Sequence, residues 1–427
     1  MGIFNLFHDL SSSSSVEHNV SFDLTIPHSS RPIPHRPIPT SSNSMTRMPL
    51  EIVMNIMDVA CDGADLEERS TFLKSCSLVC REWSMPAQKQ LFRHVTLNTQ
   101  TACLAFKDAV DPATERGRVL GGAVFSMRAS IDHNQPFGLS QKTFAHAVIL
   151  CPNLHELSIA LYGCGAPGSD IVGSPDVLRM RRSAPSFDEE TLALLRSGPR
   201  ISSLCFRNWS ENSQSLFQLL GVWPSLKSLV ISGTAPELPD PASEPFPCAL
   251  SSLRTNFQTS PSVDFFKWLL HNSSDSLRIL EFERELSPIV LEYLIDTHRE
   301  TLESIVLPTC SREASRALRR CEKLKRYSVE DALSSTGVYK NLPEELERVA
   351  FGLNKDTQLQ SILDIIKTRQ SLTAVTVHMW NGGELHRQLA SLKTTCALRG
   401  IDLELTQDIR AFRSIVVRAP SVISLTV

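Results

Sequence analysis

The chain is predicted to be an α/β protein in which three short helices precede a stack of strand–helix units. Two observations predict this. The pattern apolar-x-x-apolar-x-apolar returns again and again from Leu154 to Val427, with helical stripes between the copies. Ahead of it, residues 48–93 carry helical periodicity and no strand alternation. At 427 residues and 42% apolar content, the chain exceeds one ordinary domain and has enough apolar surface for packed cores.

Residues 1–47 read as a disordered leader. Five consecutive serines (Ser11–Ser15) and the repeat RPIPH, RPIPT at 31–40 bury too little apolar surface to offset their ordering entropy. A polyproline recognition segment is one use of that repeat; a spacer is the default. Order begins at Pro49, placed at a first helical position where its missing N–H costs nothing. Pro49, Ile52, Val53, Ile56 and Ala60 then mark one helix face. After a polar stretch, 62–69, a second stripe runs through Phe72, Cys76, Val79, Cys80 and Trp83. Ser84 with Pro86 behind it predicts a fresh helix carrying Ala87, Leu91 and Phe92. Three such helices make a small core that a partner helix would complete.

From residue 94 the rhythm changes. The six-residue pattern appears at Leu154-Leu157-Ile159, Ile201-Leu204-Phe206, Leu226-Leu229-Ile231, Leu277-Leu280-Phe282 and Leu302-Ile305-Leu307. It continues at Leu324-Tyr327-Val329, Leu346-Val349-Phe351, Leu372-Val375-Val377, Leu398-Ile401-Leu403 and Val422-Leu425-Val427. A weaker copy starts at Leu250, and irregular ones at Phe92 and Val124. From Ile201 onward the copies are 22 to 27 residues apart, and helical stripes such as Leu359-Ile362-Leu363-Ile366 fill the intervals. A doubly wound sheet gives similar local patterns but not nine successive spacings in that range. The period resembles that of leucine-rich repeats, units that are stable only when stacked. The Asn or Cys that such repeats carry after the last leucine is present only as Cys310 and Asn354, so an irregular solenoid without a regular side-chain ladder is expected over 94–427.

Two loops interrupt the array. The interval from Leu154 to Ile201 holds an insertion at 161–186, ending in Arg179-Met180-Arg181-Arg182-Ser183, where a surface loop is the default and a basophilic kinase site at Ser183 the alternative. A second, Pro-rich loop covers 236–247. The last copy ends at Val427 without a polar terminal unit, so the expectation is a short sheet edge, an edge covered by a partner, or a truncated sequence.

Composition narrows the function. With 43 basic and 46 acidic side chains, the net charge of −3 argues against a nucleic-acid binder that relies on neutralising phosphates. Eleven scattered cysteines without a C-x-x-C pair suit a reducing, intracellular compartment, cytoplasmic or nuclear. No signal peptide or membrane-length apolar run is evident, and no membrane partner is expected. None of the phosphate-binding, nucleophile-elbow or zinc-binding motifs occurs, so neither an enzyme nor a cofactor is expected. His378, Glu384 and His386 are metal-capable but read as surface residues, and the basic run 319–326 reads as a solvated helix end.

Residues 48–97, with Pro49-Leu50 opening an apolar helix, the run Leu78-Val79-Cys80-Arg81-Glu82-Trp83 and the closing Leu91-Phe92, resemble an F-box. This module hooks a substrate-binding protein onto the Skp-type adaptor of a cullin-RING ubiquitin ligase, and an F-box followed directly by irregular repeats is similar to many F-box proteins of fungi. The resemblance implies an adaptor-binding surface made of Pro49, Leu50, Ile52, Val53, Ile56, Leu78, Val79, Cys80, Trp83 and Leu91. Met48 stands in place of the usual leucine, and the 62–69 connection is longer than in compact versions. The alternative is that these helices only cap the repeats, which solenoids need at their ends.

The outward strand positions form the expected target face. One lane reads Ser158, Cys205, Val230, Arg254, Glu281, Val306, Ser328, Ala350, Thr376, Asp402, and beside it run Arg207, Glu283, Glu330, His378 and Glu404. The face suits a protein target with a basic patch. Glu281, Glu283, Glu330 and His378, with Trp209 and Trp380 as anchors, are the candidate contacts. The rival to a ligase substrate receptor is a leucine-rich scaffold protein with no ligase role.

Overall fold

The computed structural model describes residues 48–61, 66–135, 137–163, 184–210, 212–238, 244–332 and 337–417. The leader at 1–47, residues 164–183 of the insertion including Ser183, and the final pattern copy at 422–427 lie outside the described residues. The chain divides into two units, Met1–Thr96 and Leu97–Val427.

The first unit holds α1 (Leu50–Cys61), α2 (Leu66–Val79) and α3 (Arg81–Phe92). The Pro49 carbonyl accepts from the amides of Ile52 and Val53 at 3.0 and 3.3 Å, starting α1 one residue after the proline. The second helix does not run through Trp83, and no fresh helix starts at Ser84. Cys80 is extended (φ −159°, ψ 170°), and α3 begins at Arg81 with Pro86 inside it. Apolar spacing cannot tell one continuous helix from two joined by a single extended residue. Val53, Met57, Leu73, Cys76, Ala87, Leu91 and Phe92 form the core, and the Gln90 side-chain amide donates to Asp58 at 2.7 Å, tying α3 to α1.

The strand β1 (His94–Leu97) lies at the boundary between the units. In the second unit β2 (Ser126–Asp132), β3 (Glu156–Tyr162), β4 (Ser203–Trp209), β5 (Ser228–Gly233), β6 (Ser252–Phe257) and β7 (Ile279–Phe282) follow in chain order across one sheet. β8 (Ser304–Leu307), β9 (Arg326–Val329), β10 (Arg348–Leu353), β11 (Ala374–Met379) and β12 (Asp402–Thr406) continue it, and every pairing from β2 to β12 is parallel. The connecting helices are α4 (Gln100–Ala109), α5 (Glu115–Ala123), α6 (Gln141–Ile149), α7 (Glu189–Ser197), α8 (Gln214–Leu220) and α9 (Val263–Leu269). After them come α10 (Pro288–His298), α11 (Arg312–Leu318), α12 (Gly337–Asn341), α13 (Gln360–Thr368), α14 (Leu389–Arg399) and α15 (Ile409–Val417).

Local chemistry sets the helix starts. Thr99, Thr114, Ser140, Asp188, Ser262, Ser287 and Ser311 each accept a hydrogen bond from the amide three residues on, satisfying one orphan donor of the helix that follows. The inward strand positions align across the sheet: Met127, Leu157, Leu204, Leu229, Leu253, Leu280, Ile305, Tyr327, Val349 and Val375 occupy one register row and are all buried. This is the central apolar position of the sequence pattern.

Backbone joins the repeats where the side-chain ladder is irregular. At the start of each strand from β3 to β11 two successive amides share one carbonyl of the preceding unit. Ser202 and Ser203 use His155, Lys227 and Ser228 use Ser202, and Ser251 and Ser252 use Lys227, a chain that runs on to Thr373 and Ala374 on Glu347. Asn208, by contrast, is spent within its own turn, on Ser210 and Asn212.

Two expectations fail at the C-terminal end. β12 pairs Leu403 with Val375 and Leu405 with Val377, so the inward pair is Leu403/Leu405 and not Ile401/Leu403. The cause is Gly400, which caps α14 in the left-handed conformation (φ 65°) and shifts the strand by two residues. Glu404 therefore stands in the lane assigned to Asp402. The second is α15, which the repeat pattern does not announce. Only Gln407 and Asp408 separate it from β12; Asp408 accepts from the Arg410 amide at 2.8 Å, and the helix packs on β11 and β12.

Candidate functional site

Each unit carries a candidate site. In the first, α1 has one polar stripe, Glu51, Asn55 and Asp58, and is apolar over the rest of its circumference, wider than a helix with one buried face needs. Its own unit buries only Val53 and Met57. Leu50, Ile52, Met54, Ile56 and Val59 are exposed, and so are Met48 and Pro49 before the helix. At the other end of the unit Leu78 and Val79, on the last turn of α2, are 77% and 64% exposed, next to the exposed Cys80.

Seven of the ten predicted adaptor-facing residues are thus on the surface: Pro49, Leu50, Ile52, Ile56, Leu78, Val79 and Cys80. Trp83 is half-buried. Val53 and Leu91 are corrected to interior positions, 2% and 6% exposed, because they fill the small space among the three helices. Met54 and Val59 were missed. The signal was available: Val59 stands seven residues from Ile52, on the stripe used to predict the helix, and Met54 shares a face with Leu50 and Met57.

In the second unit the register aligns in one row the lane from Ser158 through Cys205, Val230, Arg254, Glu281, Val306, Ser328 and Ala350 to Thr376. The lane is not uniformly open. Cys205, Val230 and Arg254 are half-buried and Arg207 beside them is exposed, whereas Glu281, Val306, Ser328, Ala350 and Thr376 are buried. Glu281 is paired with Arg254 from the neighbouring strand, so its carboxylate is already matched. Trp209 is half-buried at the end of β4, three strands away from β7 and apart from the other candidates.

Glu283, Glu330 and His378 do come together, but not on an open face. Arg413 of α15 reaches both Glu330 oxygens, Nε at 2.6 Å and Nη2 at 2.7 Å, and its Nη1 lies 3.5 Å from Glu283. The hydrogen bond to Glu330 holds the guanidinium pKa above its ordinary value. Glu283 also accepts from the Asn256 side chain at 2.7 Å. Phe412, fully buried, packs against His378 with ring centroids 5.5 Å apart. Burial pushes the His378 pKa down, outweighing the backbone of Gln407 and the charges of Glu330 and Asp408, which pull it up. The predicted open contacts Glu283, Glu330 and His378 are therefore corrected to covered ones, the cover being this chain's own last described helix.

Trp380 borders the same place. Its indole crosses β10 and donates to the Glu330 carbonyl at 2.9 Å, with His378 edge-on at 4.7 Å. Gly352, between them, leaves the room: a Cβ there would lie 2.7 Å from the indole nitrogen. Trp380 is 44% exposed, so it is both packed and presented. Among the described residues no group of three His, Cys, Asp or Glu side chains is placed to hold a metal. Nor is any described helix long and apolar enough to cross a membrane.

No family model matches the chain, and no curated protein is similar enough to count as a match. Among solved structures it is similar to a TLR13–ssRNA13 complex, at 15% identity and a TM-score of 0.32, covering 61% of this chain but only 41% of that one. It is also similar to the complex of Rad7 and Elc1 in yeast, at 14% identity and a TM-score of 0.33, covering 83% of this chain and 91% of that one.

Proposed function

We propose that this protein is the substrate-recognition subunit of a Skp-cullin-F-box ubiquitin ligase. α1 to α3 dock on the Skp-type adaptor and the repeats hold a target protein. One observation carries this: outside the polar stripe of Glu51, Asn55 and Asp58, α1 is apolar, yet its own unit fully buries only Val53 and Met57. A partner that buried the exposed part of Leu50, Ile52, Met54, Ile56 and Val59, 37% to 76% of each, would recover a share of the roughly 1.5–3 kcal/mol that full burial of such a side chain contributes. The F-box resemblance names the partner whose helices would do so. The chain itself performs no chemistry in this scheme; other subunits transfer ubiquitin, and its part is to raise the effective concentration of target lysines. The ten described cysteines are all free thiols, seven of them buried and two half-buried, which suits a reducing compartment inside the cell.

Co-purification with a Skp-type adaptor tests the proposal. The intact chain should form a stable complex, and Leu50→Asp with Ile56→Asp should abolish it without unfolding the protein. Failure of the intact chain to bind would leave a leucine-rich scaffold protein whose helices cap the repeats.

A further inference from the structure

A helix of this chain occupies the part of the sheet where the acidic candidates meet. Three features distinguish that contact from ordinary packing. Glu330 is 7% exposed, and a carboxylate so buried requires a cation; Arg413 meets it with a two-pronged guanidinium, the geometry of charge-assisted recognition. Below the acids, along the outward lane, lies a recess lined by Ser304, Ser328, Ala350 and Thr376, with Arg326 and Arg348 among its walls. The Ser328 hydroxyl lining it is buried and has no hydrogen-bond partner among the described residues, so it is free to meet a polar group that enters the recess. Finally, α15 is tethered by only two residues after β12 and holds the site through side chains, Phe412 on His378 and Arg413 on Glu330 and Glu283.

We propose that the outer face between β7 and β11 is a binding site for an arginine-bearing segment of a protein target, with an aromatic side chain next to the arginine. Phe412 and Arg413 of α15 hold that site as a built-in competitor. The inference rests on the reading of the repeats as a target-holding surface and gives that surface its chemistry. Glu330 and Glu283 take the guanidinium, His378 and Trp380 flank the aromatic ring, and the Ser328 recess receives a polar group further along the segment. A target binds by displacing α15, so affinity is lowered by the fraction of time the helix is seated.

The test uses the full chain and a fluorescent peptide of residues 407–417. Fluorescence anisotropy compares the wild type with a Phe412→Ala, Arg413→Ala double variant whose fold is checked by circular dichroism. The double variant should bind the peptide at least tenfold more tightly than the wild type does. Replacing the peptide's own arginine at 413 by alanine, or adding Glu330→Gln to the protein, should remove at least tenfold of that affinity. A folded double variant that binds no better than wild type overturns the proposal. If the variant does not fold, hydrogen exchange on the wild-type chain decides. Amides of α15 exchanging at least a hundredfold faster than those of β10 and β11 support a displaceable occupant, and equal protection makes α15 an integral part of the sheet's cover. Adaptor binding by α1 to α3 is measured separately. Its loss would sink the ligase role and leave this site standing, and the converse result would leave a receptor that uses another face.

Discussion

The indole N–H of Trp380 donates to the main-chain carbonyl of Glu330, 2.9 Å away and 50 residues earlier in the chain. The bond spans β10 and depends on Gly352 having no side chain. A Cβ at that position would lie 2.1 Å from the Glu330 oxygen and 2.7 Å from the indole nitrogen. Gly352→Ala should therefore destabilise the protein by about 1–3 kcal/mol, the cost of overpacking a filled space. It should also expose Trp380, which red-shifts tryptophan emission. Urea denaturation followed by fluorescence measures both, and an unchanged midpoint would show that the indole leaves without cost.

The exposed and interior halves of the three-helix unit make opposite predictions. Val59→Ser and Leu78→Ser remove apolar atoms that are mostly in water, at 76% and 77% exposure, and should change stability by no more than about 0.5 kcal/mol. They should nevertheless weaken adaptor binding severely. Leu91→Ala should cost about 2–5 kcal/mol of that unit's stability, because it opens a cavity among α1, α2 and α3. Thermal melts paired with adaptor titrations separate the two classes. Destabilisation by Leu78→Ser comparable to that of Leu91→Ala would contradict the surface assignment.

Legibility in the sequence followed the range of the forces involved. The strands were readable because alternation is local: in Leu204-Cys205-Phe206 the two buried residues flank one outward residue, and the same triplet recurs in register through β11. The register failed at β12 because a single left-handed residue, Gly400, moved the chain by two positions, and apolar spacing carries no backbone torsion. α15 was missed for a different reason. Nothing within Ile409–Val417 says which face of a sheet a helix will cover; that choice rests on Glu330, 83 residues from Arg413. In the candidate sites, apolar composition pointed to α1, while its spacing alone could not assign Val53 to the interior and Ile52 to the surface.

A buried histidine makes stability depend on pH. His298, on α10, is 1% exposed, and burial lowers its pKa from 6.5 to about 4. Between those values the unfolded chain binds the proton and the folded chain does not, so stability is fully present above pH 6.5 and falls as pH drops toward 4. The separation corresponds to about 3 kcal/mol at most. The lowered pKa of His378 acts in the same direction. Urea unfolding at pH 7 and pH 4.5 should show the loss, and His298→Leu should remove most of the slope. A variant that keeps the full slope would place its origin elsewhere.

Glu281, which the sequence offers as a target contact, is matched by Arg254 on the next strand, and that pairing has a measurable signature. The Glu281 side chain is largely buried and the Arg254 side chain is about a quarter exposed, so removing the arginine leaves a carboxylate with little water to replace it. Arg254→Leu should therefore be clearly destabilising. Glu281→Leu should be milder, since the arginine can turn toward solvent. Arg254→Leu with Glu281→Leu removes both charges and should recover much of what the first change loses. The resulting coupling energy, about 0.5–3 kcal/mol for two residues in direct contact, is obtained from four urea titrations. Strict additivity would mean that the pair contributes nothing, and that Glu281 is free to meet a basic target after all.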